Sequence, residues 1–386
     1  MSLVSSLPML ADVPPPVPAV QNPASEDAAA NFLAPAPQSA SAKTGSIAVL
    51  TQALAATLRF HANRLRYGFF ARLAGKTQTD PIRHAFAKAG NASADLPYCM
   101  GRDNRGIMCG IQPAWAYLGD FAGAGREKIA IIRKLLAQLP GGATFHFSFR
   151  SQFADAPLVR EAFASAGFTV LDWKTYIYTP PAEYADLVDT FSGKSIKGTL
   201  RRARRDLEVV EISMEEFVEG QRANLAASGK KTNRNDNLDH LILEEAARRN
   251  CVRILGARRR SAEGAGPAPI DAALVCLWDE TSRNMLLWRL SYREHGDGPL
   301  KPHVDASKLL VLAAMEDCAA RKFTLDTDGY TSGMAKMYAL FGPGVFQLAD
   351  RPHCEHECLW AALTRYYPSL RRLRWLGRLL GSRPPA

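Results

Sequence analysis

Apolar and polar residues follow two periods along this chain. From Arg126 to Leu139 apolar positions recur every three to four residues and stop at Pro140-Gly141-Gly142; Thr144 to Phe149 then alternates singly. This spacing predicts a helix followed by a strand. Pro157 to Ala166 repeats the helical spacing and ends at Gly167, and a strand runs from Phe168 through Tyr178. The second half begins with a basic helix over 194–205, a strand from Leu207 to Ile212, a helix from Met214 to Ala227, a polar loop over 228–235 and a helix over 236–249. Three strands follow at 251–258, 270–278 and 284–291, the first two separated by a Gly/Pro/Ala loop. His295-Gly296-Asp297-Gly298-Pro299 leads into a helix from Asp305 to Ala320, and strand Phe323 to Asp326, helix Thr331 to Phe341 and strand Val345 to Leu348 close the series. The order is β-α-α-β-β-β-α-β-α-β, which places the chain in the α/β class.

The flanks read differently. Residues 46 to 90 interleave apolar and basic positions through Leu54, Leu58, Leu65, Phe69 and Phe70, a helical pattern. Residues 1–45 are rich in Ala, Pro and Ser and cannot bury enough apolar surface to offset their ordering entropy. The expected organisation is a disordered tail over 1–45, a helical lead-in over 46–105, a first α/β unit over 106–190, a second over 191–352 and a basic amphipathic tail over 353–386.

Composition narrows the class. A chain of 386 residues with 47% hydrophobic and 22% charged residues has enough apolar surface for one large core or two moderate ones, which excludes a fully disordered protein. Charged residues interrupt every apolar run before the roughly 18 residues that a membrane-spanning helix needs. Seven scattered cysteines, an odd number, argue for a reducing compartment rather than a disulfide framework. Met1 to Leu10 lacks a basic secretory n-region and Pro14, Pro15 and Pro16 follow at once, so the expected location is cytoplasmic. The net charge of +10 is concentrated at one end, because 365–386 holds six arginines and no acid. There Leu370, Leu373, Trp375, Leu376, Leu379 and Leu380 stand among arginines, so 360–380 can lie on an anionic inner membrane surface as a peripheral contact or dock on the protein's own body.

A repeat organises the two halves. Phe163-Ala-Ser-Ala-Gly167-Phe168 ends a helix and enters a strand, and Tyr338-Ala-Leu-Phe-Gly342 does the same before Val345. This junction, together with the element order, resembles the GNAT acyltransferase fold, and the chain resembles two such units in tandem, the first cut down. The stretch Ser195-Ile-Lys197-Gly-Thr199-Leu-Arg201-Arg202-Ala203-Arg204-Arg205 is similar to the Arg/Lys-rich helix of the Fem-type and BioF2-like branch of that superfamily. Phe323-Thr-Leu-Asp326, the Phe341-Gly342 turn, Gln112-Pro113-Ala114-Trp115 and Gly167-Phe168 extend the likeness over residues 105 to 350. The resemblance implies mixed sheets flanked by helices, acyl-CoA (acetyl-CoA) as co-substrate, no metal, and a small amine acceptor such as an amino-sugar or cell-envelope precursor.

Candidate chemistry gathers in the second unit. Arg293-Glu-His-Gly296-Asp-Gly298 sits between a strand and a helix, where small residues let backbone N–H groups approach a pyrophosphate and a helix start supplies partial positive charge. By the resemblance, Tyr338 is the acid that returns a proton to the departing thiolate, a role that Phe163 of the first unit cannot fill. Asp326 and Asp328, at and just beyond the end of a strand, are candidate bases for an amine nucleophile, with His303 as another base or cofactor contact. Lys336 is placed to meet an anionic group of the acceptor. The basic helix, through Arg201 and Arg202, suits phosphates, and an alternative donor is aminoacyl-tRNA, as in Fem-type peptidyltransferases. His353-Cys354-Glu-His356-Glu-Cys358 has zinc-ligand residue types but no second cysteine pair at structural-site spacing. From a different class, a non-catalytic binding or scaffold module with a GNAT-type fold also fits the sequence.

Overall fold

The computed structural model describes residues 41–67, 82–89, 92–102, 108–111, 125–151, 153–227, 236–261, 268–293, 301–329 and 332–367. Residues 1–40, the Gly296-Gly298 loop and the chain after 367 lie outside them, while 41–45, expected within the disordered tail, begin a helix.

The first half comprises helix α1 (Ser41–Tyr67), strands β1 (Ile82–Ala89), β2 (Ala92–Arg102) and β3 (Met108–Ile111), helix α2 (Gly125–Ala137), strand β4 (Thr144–Ser148), helix α3 (Ala156–Ser165) and strand β5 (Thr169–Tyr178). After the short helix α4 (Leu187–Thr190) come α5 (Lys194–Asp206), β6 (Leu207–Glu211), α6 (Met214–Ala227) and α7 (Asp236–Arg248). Strands β7 (Val252–Arg259), β8 (Ile270–Asp279) and β9 (Asn284–Tyr292) lead to α8 (Ala306–Arg321), β10 (Thr324–Asp326), α9 (Ser332–Ala339), β11 (Gln347–His356) and α10 (Leu359–Tyr366).

The eleven strands among the described residues form one mixed sheet in the order β1-β2-β3-β4-β11-β5-β10-β9-β8-β7-β6. The expected class, two α/β units in tandem, is what this order displays. Each half runs three antiparallel strands, a helix, a parallel strand, a helix and a last strand, and the last strands are exchanged: β11 pairs with β4 and β5 with β10. The halves are thus joined by backbone hydrogen bonds as well as by side chains.

Two expectations need correction. Residues 82–89, expected to be helical, form β1, in which Ala85 and Ala87 point inward while Phe86 is exposed; small residues fit either period, and pairing with β2 decides it. The last strand continues to His356, past its expected end at Leu348 and the expected unit boundary at 352, because β4 and β5 both extend alongside it.

The repeat has a packing basis. Phe163 packs edge-on against Phe168 with ring centroids 4.9 Å apart, and Tyr338 packs on Phe346 at 4.5 Å. Between them Gly167 has φ of 89° and Gly342 φ of 115°, backbone that residues with a Cβ rarely adopt. A Cβ at Gly167 would also collide with the carbonyl oxygen of Ala56 in α1.

Helices α1, α3 and α8 pack on one face of the sheet: Phe60 meets Phe145 and His356, Phe163 meets Phe147, and Cys318 meets Met285. The other face meets α7, which touches both β2 and β7. Those strands stand second and tenth in the sheet, about 38 Å apart if it were flat, whereas thirteen helical residues span only about 20 Å. The sheet therefore curls, with α7 across its concave side. Cys99 and Cys109 of the first half share a core there with Ile242, Leu243 and Ala246 of α7.

Candidate active site

Strand β10 ends at Asp326 in a turn wired to β5. The amide of Thr327 donates to the Tyr176 carbonyl (3.0 Å), and the Tyr176 amide donates to Thr327 Oγ1 (3.1 Å). Asp326 Oδ1 accepts from Thr175 Oγ1 (2.5 Å) and from the Asp328 amide (2.8 Å), and the Gly329 amide donates to Thr175 Oγ1 (3.2 Å). These bonds hold Asp328 at φ of 58°, a conformation that Asp tolerates better than most residues.

Asp326 is fully buried, and its Oδ2 has no hydrogen-bond partner among the described residues. Arg351 of β11, also buried, places Nη1 3.0 Å from Asp328 Oδ1 and 3.6 Å from Asp326 Oδ1. Burial pushes the Asp328 carboxyl above the usual carboxylate value, with Arg351 pulling it back, Asp326 pushing it up and Arg289 pulling it down. Asp326 of β10, Asp328 of the following turn and Arg351 of β11 thus form one polar cluster, and the charge of Arg289 on β9 acts on it at longer range.

Register explains how Arg289 joins. Asp326 opposes Leu286, which opposes Leu277, so all three point to the concave face. Leu287 then pairs with Cys276 and Arg289 with Val275, leaving Trp288 as the extra residue of a bulge. Without it Arg289 would face the opposite side; with it the guanidinium shares the aspartates' face. Past Leu286 the two strands part: β10 stops and β9 continues through Leu287–Tyr292. A cavity of about 290 Å³ on the other side of Asp326 is lined by Arg150, Ser151, Ile177, Thr281, Ser282, Asn284 and Thr324. In it Ser282 Oγ and Asn284 Oδ1 are buried with no hydrogen-bond partner among the described residues.

The other residues singled out in the sequence are placed as follows. Tyr338 is 1% exposed and packs on Tyr176 and Phe346, on the face opposite Thr175 and Asp326. Burial pushes its phenol well above the ordinary value, with Thr327 drawing it back. The expected proton donor is thus a core aromatic equivalent to Phe163, and the structure does not bring it to the carboxylates' face. Arg293 is held by the buried Asp271 (2.8 Å), which also accepts from the His303 amide (3.1 Å). His303 Nδ1 in turn accepts from the Asp305 amide (3.2 Å) at the start of α8. Both ends of the Gly296-Gly298 loop are therefore pinned to Asp271, and the glycines themselves lie outside the described residues. Lys336 is exposed on α9, away from Tyr338's buried side. Of the basic helix, Arg201 pairs with Asp189, Arg204 with Asp186 and Glu316, and Arg205 with Asp206; Arg202 is exposed. Three of the six cations expected to form a cationic face thus carry acidic partners, most of them from outside the helix. At the chain end, Trp360, Ala361, Ala362 and Thr364 of α10 are buried, and α10 packs on α1, so this part of the tail docks on the protein's own body. No helix among the described residues is long and apolar enough to cross a membrane.

Sequence reasoning missed Thr175, Arg289 and Arg351. The only local signal was a basic residue in one apolar strand, Arg289 after Trp288; Arg351 stands among Asp350, Pro352 and His353 and carried none.

No family model matches this sequence, and no curated protein does. Among solved structures, the chain is similar to FemX, with 9% identity, coverage of 76% of this chain and 91% of that one, and a TM-score of 0.49. It is similar to L-PGS from Bacillus licheniformis at 14% identity, 78% and 90% coverage and a TM-score of 0.42. A tandem GNAT protein from the clavulanic acid biosynthesis pathway is similar at 14% identity, 70% and 83% coverage and a TM-score of 0.39. These are likenesses of fold.

Proposed function

We propose that this chain is an acyltransferase that moves an acyl group from acyl-CoA, acetyl-CoA in the simplest case, to an amine. One observation carries the reading: the Asp326–Asp328 pair stands on the concave face where β9 and β10 part, with a polar cavity beside it. In the reaction the amine nitrogen attacks the thioester carbonyl carbon, a C–N bond forms and the C–S bond breaks. Asp328 takes the proton that the amine loses; burial makes it a stronger base than a solvated aspartate. Asp326 positions it through the Asp328 amide, and Arg351 fixes its carboxylate. With Tyr338 on the opposite face, the thiolate is protonated by solvent.

The hydroxyls and the Asn284 amide around the cavity suit a polyhydroxylated acceptor, consistent with an amino-sugar or cell-envelope precursor. An aminoacyl-tRNA donor is less well supported, because three arginines of α5 already carry acidic partners. Release of free thiol from acetyl-CoA and longer acyl-CoAs, measured with a panel of amino-sugars, tests the proposal. Amine-dependent release that falls at least about a hundredfold in Asp328→Asn is expected. No release from any thioester would overturn it and favour a non-catalytic module, and release unaffected in the variant would overturn the role of Asp328. Steep salt-dependent tRNA binding that flattens in Arg201→Ala/Arg202→Ala would instead favour the RNA donor.

A further inference from the structure

Counted outward from the Trp173–Arg351 pair at the middle of the sheet, the two halves present equivalent positions. Two residues along β5 is Thr175 and four along is Ile177, which opposes Asp326 of β10. Two along β11 is His353 and four along is Glu355, which opposes His146 of β4. The place that holds Asp326 in the second half therefore holds His146 in the first, beside His353 and Glu355, on the same concave face.

We propose that His146, His353 and Glu355 form a binding site for a divalent transition metal, zinc in the first instance, with an open coordination position toward the cleft. One ligand atom from each comes within 4.8 Å of the other two. Two imidazoles and one carboxylate are a donor set that suits zinc, with room for a water or ligand group as fourth partner. His353 is 2% exposed, its Nδ1 lies 2.8 Å from Ser148 Oγ, and its Nε2 is buried with no hydrogen-bond partner among the described residues. A hydroxyl fixing one ring nitrogen while the other stays open is the outer-shell arrangement that orients a metal-bound histidine. Trp173 stacks on the same ring at a centroid distance of 3.4 Å and locks its plane.

The side chains of His146 and Glu355 are 31% and 39% exposed, which leaves an entry path. Strand alternation also sorts the sequence string: His353 and Glu355 face the cleft, while Cys354 and His356 are buried on the other face, His356 stacked on Phe60. The ligands join two adjacent strands, so no spacing along the chain could announce them.

Cobalt(II) and zinc(II) titrations of the full chain test this. One equivalent of cobalt per chain is expected, giving visible d–d absorption without the near-ultraviolet thiolate band that the buried cysteines would add. Zinc should displace it. His146→Gln and Glu355→Gln should each weaken binding at least about tenfold, and Ser148→Ala by about ten- to a hundredfold, while His356→Gln, on the opposite face, should bind like the parent. Thermal melts verify that the variants fold, and Ser148→Ala keeps the test open if a ligand variant does not. Absence of stoichiometric binding, a thiolate band, or equal binding by the ligand variants would overturn the proposal.

Discussion

Arg351 reaches from the middle of β11, over β5, to place Nη1 3.0 Å from Oδ1 of Asp328 in the turn after β10. This contact ties the exchanged last strands to the carboxylate pair. Replacing Arg351 with Met should cost about 3–5 kcal/mol, because buried carboxylates lose their counter-charge. Urea unfolding measures it, and Asp328→Asn in the same chain should recover part of the loss.

The same contact sets a pH dependence. Arg351 lowers the Asp328 pKa against the upward push of burial, so acyl transfer should fall as pH drops through a value above 3.8. In Arg351→Met the acid limb should move to higher pH, since the cation that favoured the ionised carboxyl is gone. A limb that stays in place or moves down separates Asp328 from the rate.

Stability should decline in acid for a different reason. The folded pKa is lowered to about 3 for His353 and about 4 for His356, both chiefly by burial, from 6.5. A lowered histidine pKa gives stability that is complete above 6.5 and is lost as pH falls toward the folded values, because the unfolded chain takes up those protons first. Every tenfold drop in a ring's proton affinity on folding corresponds to about 1.4 kcal/mol. Chemical denaturation between pH 7 and 4 should show the loss, and His356→Phe should flatten it.

Tyr338→Phe is expected to leave acyl transfer within about twofold and stability within about 1 kcal/mol, since its hydroxyl is buried on the face opposite the carboxylates with Thr327 as its polar neighbour. Tyr338→Ala should cost about 3–5 kcal/mol by opening a cavity against Tyr176 and Phe346. Rates and melts on both variants distinguish packing from proton donation, and a large rate loss in Tyr338→Phe would restore the phenol to the chemistry.

Gly342→Ala should destabilise by about 1–3 kcal/mol, because φ of 115° strains any residue with a Cβ and the added carbon would meet the Ser192 side chain. Gly344→Ala, at φ of 80° with open space around it, isolates the backbone part of that cost.

What depends on neighbours a few residues away is legible in the chain's own order of residues. Helices over 126–139, 157–166, 214–227 and 305–320 were legible from apolar spacing and glycine stops, and each lies within a few residues of its observed bounds. The paired aromatic-x-x-x-Gly junctions were legible because a left-handed turn after a helix restricts the residue type. Asp326 and Asp328 stood out because they follow an apolar strand. Tertiary structure alone decided which face each strand residue presents, and hence which of these residues meet. Thr175 and Asp326 lie 151 positions apart and are joined by strand exchange; Arg289 reaches the cluster through a bulge that leaves no mark in composition; Tyr338 turns to the opposite face. A strand's side chains alternate every residue, so one register choice or one inserted residue reassigns them all, and that choice is made by the partner strand.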